Sequence, residues 1–278
     1  MKNIIITGSN SGIGKEAALI LAKEGHCILM LSRDSEKSKQ AHQEILAESG
    51  NENVFLIPVD LSDQDSIRNA VAEIKSRFDQ IDVLVNNAGV VNMKRIETDD
   101  GIEENFAVNF LAPYILSELL LEKIAASEEG RIINLISDLY KRGTIDLDNL
   151  MLRDGYRSTY AFANSKLALL LYTINLAHRT EDQDITVNAL HPGTVATSLF
   201  RDFPGIILKF MNLFAEKPQK GGQRIAYLAT SDEMSGISGK YFFKDGQKEL
   251  DLNPQEKDKS GALFAIAEEL TLDREDVL

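Results

Sequence analysis

Short apolar runs alternating with longer stretches of helical spacing constrain this chain more than any single residue does. The runs cover residues 3–7, 27–32, 54–59, 83–86, 131–137, 185–190 and 240–243. The first six are continuously apolar rather than alternating, the pattern of strands covered on both faces. Between them, residues 13–24, 35–48, 64–77, 103–126, 159–178 and 221–230 carry helical periodicity. Strand–helix alternation of this kind builds right-handed βαβ units. The expectation is an α/β fold, a doubly wound parallel sheet of about seven strands with helices on both faces.

Pro and Gly are scattered and there is no internal repeat or low-complexity linker, so residues 1–278 read as a single domain. Two regions interrupt the alternation. Residues 141–157 are loop-like and residues 194–217 are apolar and aromatic. Both are expected beyond the carboxyl ends of strands, where open α/β sheets bind ligands.

Charge and cysteine content exclude several functions. The chain carries 30 Lys and Arg against 43 Asp and Glu, a net charge of −13. So acidic a surface repels phosphate backbones and anionic lipid, which argues against nucleic acid and charged membranes as main partners. Cys27 is the single cysteine and lies in an apolar run, so no intrachain disulfide and no cysteine-based metal site is expected. His26, His42, His178 and His191 lack metal-ligand spacing. The first residues run straight into a strand, which does not read as a signal peptide, and no apolar stretch is long enough to span a bilayer. A reducing cytoplasm is the expected location.

Thr7-Gly8-Ser9-Asn10-Ser11-Gly12-Ile13-Gly14 joins the first strand to the first helix. Gly8 permits a tight turn, Gly12 admits a pyrophosphate close to the backbone, and Gly14 allows close helix–strand packing. The helix start offers unpaired N–H groups and the positive end of its dipole to an anion. Gly8, Asn10, Ser11, Gly12, Ile13 and Gly14 are therefore candidate dinucleotide contacts, and the sheet is expected to be of Rossmann type.

The spacing Gly-x-x-x-Gly-x-Gly, together with motifs that follow in order, resembles the short-chain dehydrogenase/reductase family over nearly the whole length. Asn86-Asn87-Ala88-Gly89 ends the fourth strand, and the resemblance implies that Asn87, Ala88 and Gly89 lie beside the cofactor ribose and adenine. It also implies an adenine contact for Asp60 and Leu61, a water-holding helix asparagine in Asn109, and a nicotinamide-side loop in His191-Pro192-Gly193-Thr194-Val195, with Pro192, Gly193 and Val195 as contacts. Gly-Ile-Gly-Lys, Ser-Arg-Asp and His-Pro-Gly-Thr-Val most resemble the retinol dehydrogenase-like branch.

Cofactor choice turns on the end of the second strand, Leu31-Ser32-Arg33. An NAD site usually places a carboxylate there for the ribose 2′-hydroxyl. An arginine fork suits a 2′-phosphate instead. Arg33, with Lys15 as a second positive charge, predicts NADP(H). In the competing reading Arg33 is a solvated charge and Asp34 takes the ribose of NAD(H).

Phe162-Ala163-Asn164-Ser165-Lys166 has the form of the family's Tyr-x-x-Ser-Lys motif without the tyrosine hydroxyl. The resemblance assigns Lys166 to the nicotinamide ribose, Ser137 to the substrate oxygen, and proton transfer to the position held by Phe162. Tyr160 cannot take over on a continuous helix, because six residues turn the face by about 240° where four turn it by about 40°. Tyr156 lies in the loop. Phe162 leaves four explanations open: a deliberate Tyr→Phe replacement that traps a complex, reduction of a conjugated alkene, another donor such as Ser137 or a water, or cofactor binding without turnover. The aromatic stretch at 194–217 reads as a lid over a hydrophobic small-molecule substrate. Leu167, Leu169, Leu170 and Leu171 make the second long helix apolar on more than one face, consistent with burial against a partner; the resemblance implies either a homodimer or a monomer, and the oligomeric state stays open.

Overall fold

The computed structural model describes residues 1–193 and 216–271. Its centre is an eight-stranded sheet built from β1 (Asn3–Thr7), β2 (Cys27–Ser32), β3 (Val54–Pro58), β4 (Val83–Asn86), β5 (Gly130–Leu135), β6 (Ile185–His191), β7 (Tyr241–Phe243) and β8 (Gly246–Lys248). The order is β3-β2-β1-β4-β5-β6-β7-β8. All pairings are parallel except the last, where β8 turns back antiparallel to β7. β8 is the strand beyond the seven expected. It is short and exposed, so it leaves no apolar run in the sequence.

Both faces of the sheet are covered, which is why the strands show no alternation. Ile5, Leu29, Leu31, Leu84 and Ile132 face one layer, made by α3 (Gln64–Arg77), α5 (Ala112–Ala125), α6 (Ser158–Arg179) and α9 (Ser260–Thr271). Ile4, Ile6, Ile28, Met30, Val83 and Val85 face the other, made by α1 (Gly12–Lys23), α2 (Glu36–Ser49) and α7 (Pro218–Thr230). Helix starts follow local chemistry. The Ser35 hydroxyl accepts from the Ser38 N–H ahead of α2, and the Asp63 carboxylate accepts from the Asp65 and Ser66 N–H groups ahead of α3. Gly50 closes α2 at φ 66°, a left-handed value that favours glycine.

The structure departs from the sequence reading at four further places. The long helix expected at 103–126 runs continuously over 104–125 but is not regular: α4 (Glu104–Phe106) passes through one π-helical turn (Ala107–Leu111) into α5. The loop expected from 141 opens with a 3-10 turn over Asp138–Arg142. The carboxyl-terminal part adds α8 (Pro254–Asp258) and α9. Finally, Leu167, Leu169, Leu170 and Leu171 are buried by their own chain. α9 packs on α6 there, with Phe264 edge-on to Tyr172 at 6.0 Å between ring centroids. The apolar faces of α6 are thus filled without a second copy. The expected lid at 194–217 falls at 194–215 outside the described residues.

Candidate active site

The strand order reverses between β1 and β4, and the two carboxyl ends there are tied together. The Thr7 hydroxyl accepts from the Asn87 and Ala88 N–H groups, both at 2.9 Å, and the Asn87 side-chain amide donates to the Thr7 carbonyl at 2.8 Å. The connecting turn needs its glycines. Gly8 and Gly12 sit at φ +65° and +56°. Gly14 has ordinary dihedrals, but a Cβ on it would come within 2.4 Å of Asn87 Nδ2 and 2.7 Å of the Gly8 carbonyl. Its close packing is therefore against the turn and Asn87 rather than against a strand. The Ser11 side chain does not cap α1. The first N–H groups of α1 thus face outward at the switch point with the dipole behind them.

A cleft of about 1290 Å³ opens from this point. Gly8, Asn10, Ser11, Gly12 and Ile13 form one wall, and Asn87, Ala88 and Gly89 the floor. Asp60 and Leu61 line the adjoining side, with the Asp60 carboxylate accepting from the Ser62 N–H and hydroxyl at 2.9 and 2.7 Å. Arg33, Asp34 and Lys37 stand at the rim beyond β2. Lys15 does not: it leaves the cleft and pairs with Glu44 of α2. The second positive charge at the rim is Lys37, which the sequence reading missed. Asp34 is engaged by Lys39 at 3.3 Å.

The far end of the cleft holds Ser137, Phe162, Lys166, Pro192 and Gly193. Ser137 lies two residues beyond β5 and caps the 3-10 turn, its hydroxyl accepting from the Leu139 N–H at 3.3 Å. Among the described residues that hydroxyl meets no acceptor, so its proton is available. Phe162 and Lys166 lie one turn apart on α6, and Lys166 Nζ is 5.9 Å from the Phe162 ring centroid. Nζ donates to the Leu135 carbonyl at 2.8 Å. Burial of the amine, with no carboxylate beside it, pushes its pKa down to about 7.

Asn109 sits in the π turn and does not line the cleft. Its amide donates to the Val90 carbonyl and the Ser165 hydroxyl, both at 3.0 Å, and accepts from the Val90 N–H at 2.8 Å. Both amide donors are spent inside the protein, so the side chain braces the Gly89–Val90 floor against α6. Gly89 lies between the two groups: a Cβ there would be 3.1 Å from Asn109 Oδ1 and 3.7 Å from Lys166 Nζ.

Neither nearby tyrosine replaces the missing phenol. α6 starts at Ser158, so Tyr160 is on the continuous helix, 46% exposed, under the Arg157 guanidinium. The Tyr156 hydroxyl donates to the Asn92 carbonyl at 2.9 Å and accepts from Asn105, and burial pushes its pKa up to about 12. Glu104, Lys141 and Arg142 also line the cleft, and no motif marked them in the sequence. His191 closes the end beside Phe243, and burial pulls its pKa down. Val195 lies outside the described residues.

Residues 2–204 match the family model for short chain dehydrogenases. The chain belongs to the short-chain dehydrogenase/reductase family. It falls in the retinol dehydrogenase-like branch: it is 39% identical to retinol dehydrogenase 13 of Mus musculus over 270 residues, covering 94% of this chain and 80% of the relative. Among solved structures it resembles an uncharacterised protein from Mycobacterium paratuberculosis, at TM-score 0.75 and 26% identity over 98% of this chain and 93% of the other. It also resembles a protein assigned as an NAD(P)-dependent gluconate 5-dehydrogenase from Beutenbergia cavernae, solved with NADP bound at low occupancy. That match has a TM-score of 0.70 and 26% identity over 88% of this chain and 95% of the other. The scaffold is that of an oxidoreductase.

Proposed function

We propose that this short-chain dehydrogenase is NADP(H)-dependent and reduces the carbonyl of a hydrophobic small molecule. The observation that carries the reading is the meeting of the uncapped α1 start and the Ser137–Lys166 pair in one cleft. Small-molecule pockets usually occupy about 300–1,000 Å³. A cleft above that range suits a dinucleotide and a substrate together.

The residues present fit the cofactor. The first N–H groups of α1 and the Gly12 backbone suit a pyrophosphate. Arg33, with Lys37 beside it, suits a 2′-phosphate, and the NADP-bound relative supports the same choice. Asp60 and Leu61 suit the adenine, Lys166 the nicotinamide ribose, and Pro192 and Gly193 the nicotinamide, to which the family resemblance adds Val195. Bound there, the cofactor supplies a hydride. Ser137 holds the substrate oxygen through its available proton. Val90, Val108, Leu139 and Phe162 give the cleft an apolar lining that suits a hydrophobic substrate. Retinol dehydrogenase 13 is named for a lipophilic alcohol, which supports a hydrophobic substrate. The apolar composition of 194–217 supports it as well. With phenylalanine at 162, proton delivery falls to Ser137 or a water, and turnover is expected about 10²–10⁴-fold below that of a tyrosine-bearing site.

A second reading rests on Phe162 itself. Reduction of a conjugated alkene ends with the proton on carbon, where a phenol on the carbonyl oxygen matters less. A third is cofactor binding without turnover. Calorimetry with NADPH and NADH, followed by NADPH oxidation against aldehydes, ketones and enones, separates them. Carbonyl turnover supports the main reading, enone turnover alone supports the second, and binding without turnover supports the third. Uptake of neither nucleotide sinks all three. The same proposal places the enzyme in the cytoplasm, which fractionation of cells expressing a tagged chain tests.

A further inference from the structure

We propose that Arg224 is a positioning residue: its guanidinium fixes the Pro192–Gly193 peptide at the catalytic end of the cleft and thereby sets the affinity for the nicotinamide half of the cofactor. The inference rests on the cofactor reading given above.

Arg224 lies on α7 and is 6% exposed. A buried guanidinium is costly unless its N–H groups are spent on good acceptors. Here they are spent on three. Nε and Nη2 donate as a fork to the two oxygens of Asp245, at 2.8 and 3.0 Å. Nη1 donates to the Pro192 carbonyl at 2.6 Å and to Glu216 at 2.5 Å. The second Glu216 oxygen accepts from Lys244 Nζ at 2.7 Å. Lys244 holds this place at φ 56°, a strained value for a residue with a Cβ. Two cations and two anions thus alternate around one backbone carbonyl. Lys244 and Arg224 hold the Glu216 carboxyl below its ordinary range, and Arg224 does the same for Asp245.

This cluster stands directly behind the cleft. Gly193 has φ +93°, and a Cβ on it would come within 3.2 Å of Arg224 Nη1, 3.4 Å of Lys244 Cε and 3.5 Å of Glu216 Oε2. Pro192, Gly193 and His191 line the cleft, whereas Arg224, Lys244 and Glu216 do not. The Pro192–Gly193 peptide is trans, so its N–H points away from its carbonyl. With the carbonyl anchored on Arg224, the Gly193 N–H is turned the other way, and among the described residues it meets no acceptor. Arg224 thus sets the plane of a peptide whose donor is left for a ligand.

A purely structural clip between positions 192 and 216 makes a different prediction. We would compare wild type, Arg224→Met, Arg224→Lys and Asp245→Asn by calorimetry with two probes. One is NADPH and the other is adenosine 2′,5′-bisphosphate, which has no nicotinamide. NADH and ADP replace them if wild type prefers the unphosphorylated cofactor. Losing one charge-assisted bond at this peptide is expected to weaken NADPH binding about tenfold or more in Arg224→Met. Binding of the adenosine fragment stays unchanged, and Arg224→Lys recovers part of the loss. Asp245→Asn removes half of the fork at an exposed position and keeps the test available if Arg224→Met does not fold. Its expected loss is smaller and equally specific to NADPH. Equal weakening of both probes, or unchanged NADPH binding, overturns the proposal. Failure of wild type to bind either dinucleotide instead removes the cofactor reading, and this proposal with it.

Discussion

Restoring a tyrosine at position 162 is the perturbation whose outcome depends most directly on the geometry. The Phe162 ring is packed at the cleft wall, 3% exposed, and α6 holds its backbone through the Ser165 hydroxyl, which donates to the Phe162 carbonyl at 2.9 Å. Phe162→Tyr adds one oxygen to a ring already in place, so the scaffold need not rearrange. Lys166 Nζ lies 5.9 Å from the ring centroid, and an ammonium at such range favours the phenolate. The phenolate in turn raises the lysine pKa from its depressed value near 7. A positioned general acid contributes about 10²–10⁴-fold, which at 1.36 kcal/mol per tenfold is about 3–5 kcal/mol of barrier. Steady-state NADPH oxidation with a panel of hydrophobic aldehydes and ketones is expected to rise by that factor in kcat/KM. Cofactor binding should stay unchanged by calorimetry. The variant also gains an alkaline limb, because reduction needs the protonated phenol and stops as it ionises. Equal carbonyl rates in the two proteins, with NADPH bound by both, refute the assignment of position 162 to proton transfer.

Lys166→Met removes a buried amine whose pKa falls from 10.5 to about 7 on folding. Between those values the unfolded chain binds more protons, so wild-type stability rises with pH. The variant's advantage in thermal midpoint should therefore be largest at and below pH 7 and shrink toward pH 10.5 in scanning calorimetry; a constant difference counts against the buried, unpaired lysine. Arg33→Ala is expected to weaken NADPH about tenfold and leave NADH unchanged. Equal effects on the two dinucleotides would return Asp34 to consideration as the ribose ligand. Gly14→Ala pushes a methyl into Asn87 and the Gly8 carbonyl and should cost about 1–3 kcal/mol. Chemical denaturation measures that cost, and an unchanged midpoint would mean the turn yields more easily than its contacts indicate.

What the sequence disclosed and what it hid follow from the range of the forces involved. The six continuous apolar runs were legible because Ile5 and Leu31 face one helical layer while Ile6 and Met30 face the other. The glycine turn was legible because positive φ at Gly8 and Gly12 selects a residue type. The Phe162–Lys166 relation was legible because four residues on a helix return to nearly the same face. Partners distant in sequence left no such mark. Lys15 was expected at the cofactor phosphate, yet it reaches Glu44, 29 residues away. Glu256 buries its carboxylate on the Ile145 N–H at 2.6 Å, 111 residues away. The start of α8 does carry a local signal, Asn253 followed by Pro254 at the first helical turn. The π turn was hidden for another reason: one extra residue in a turn leaves the apolar composition of 103–126 unchanged. That turn nonetheless carries Asn109, whose bonds to Val90 and Ser165 hold the cleft floor against α6. Lys166 projects from the same stretch of α6. Asn109 in this π turn therefore ties the cleft floor to the helix that also carries Phe162.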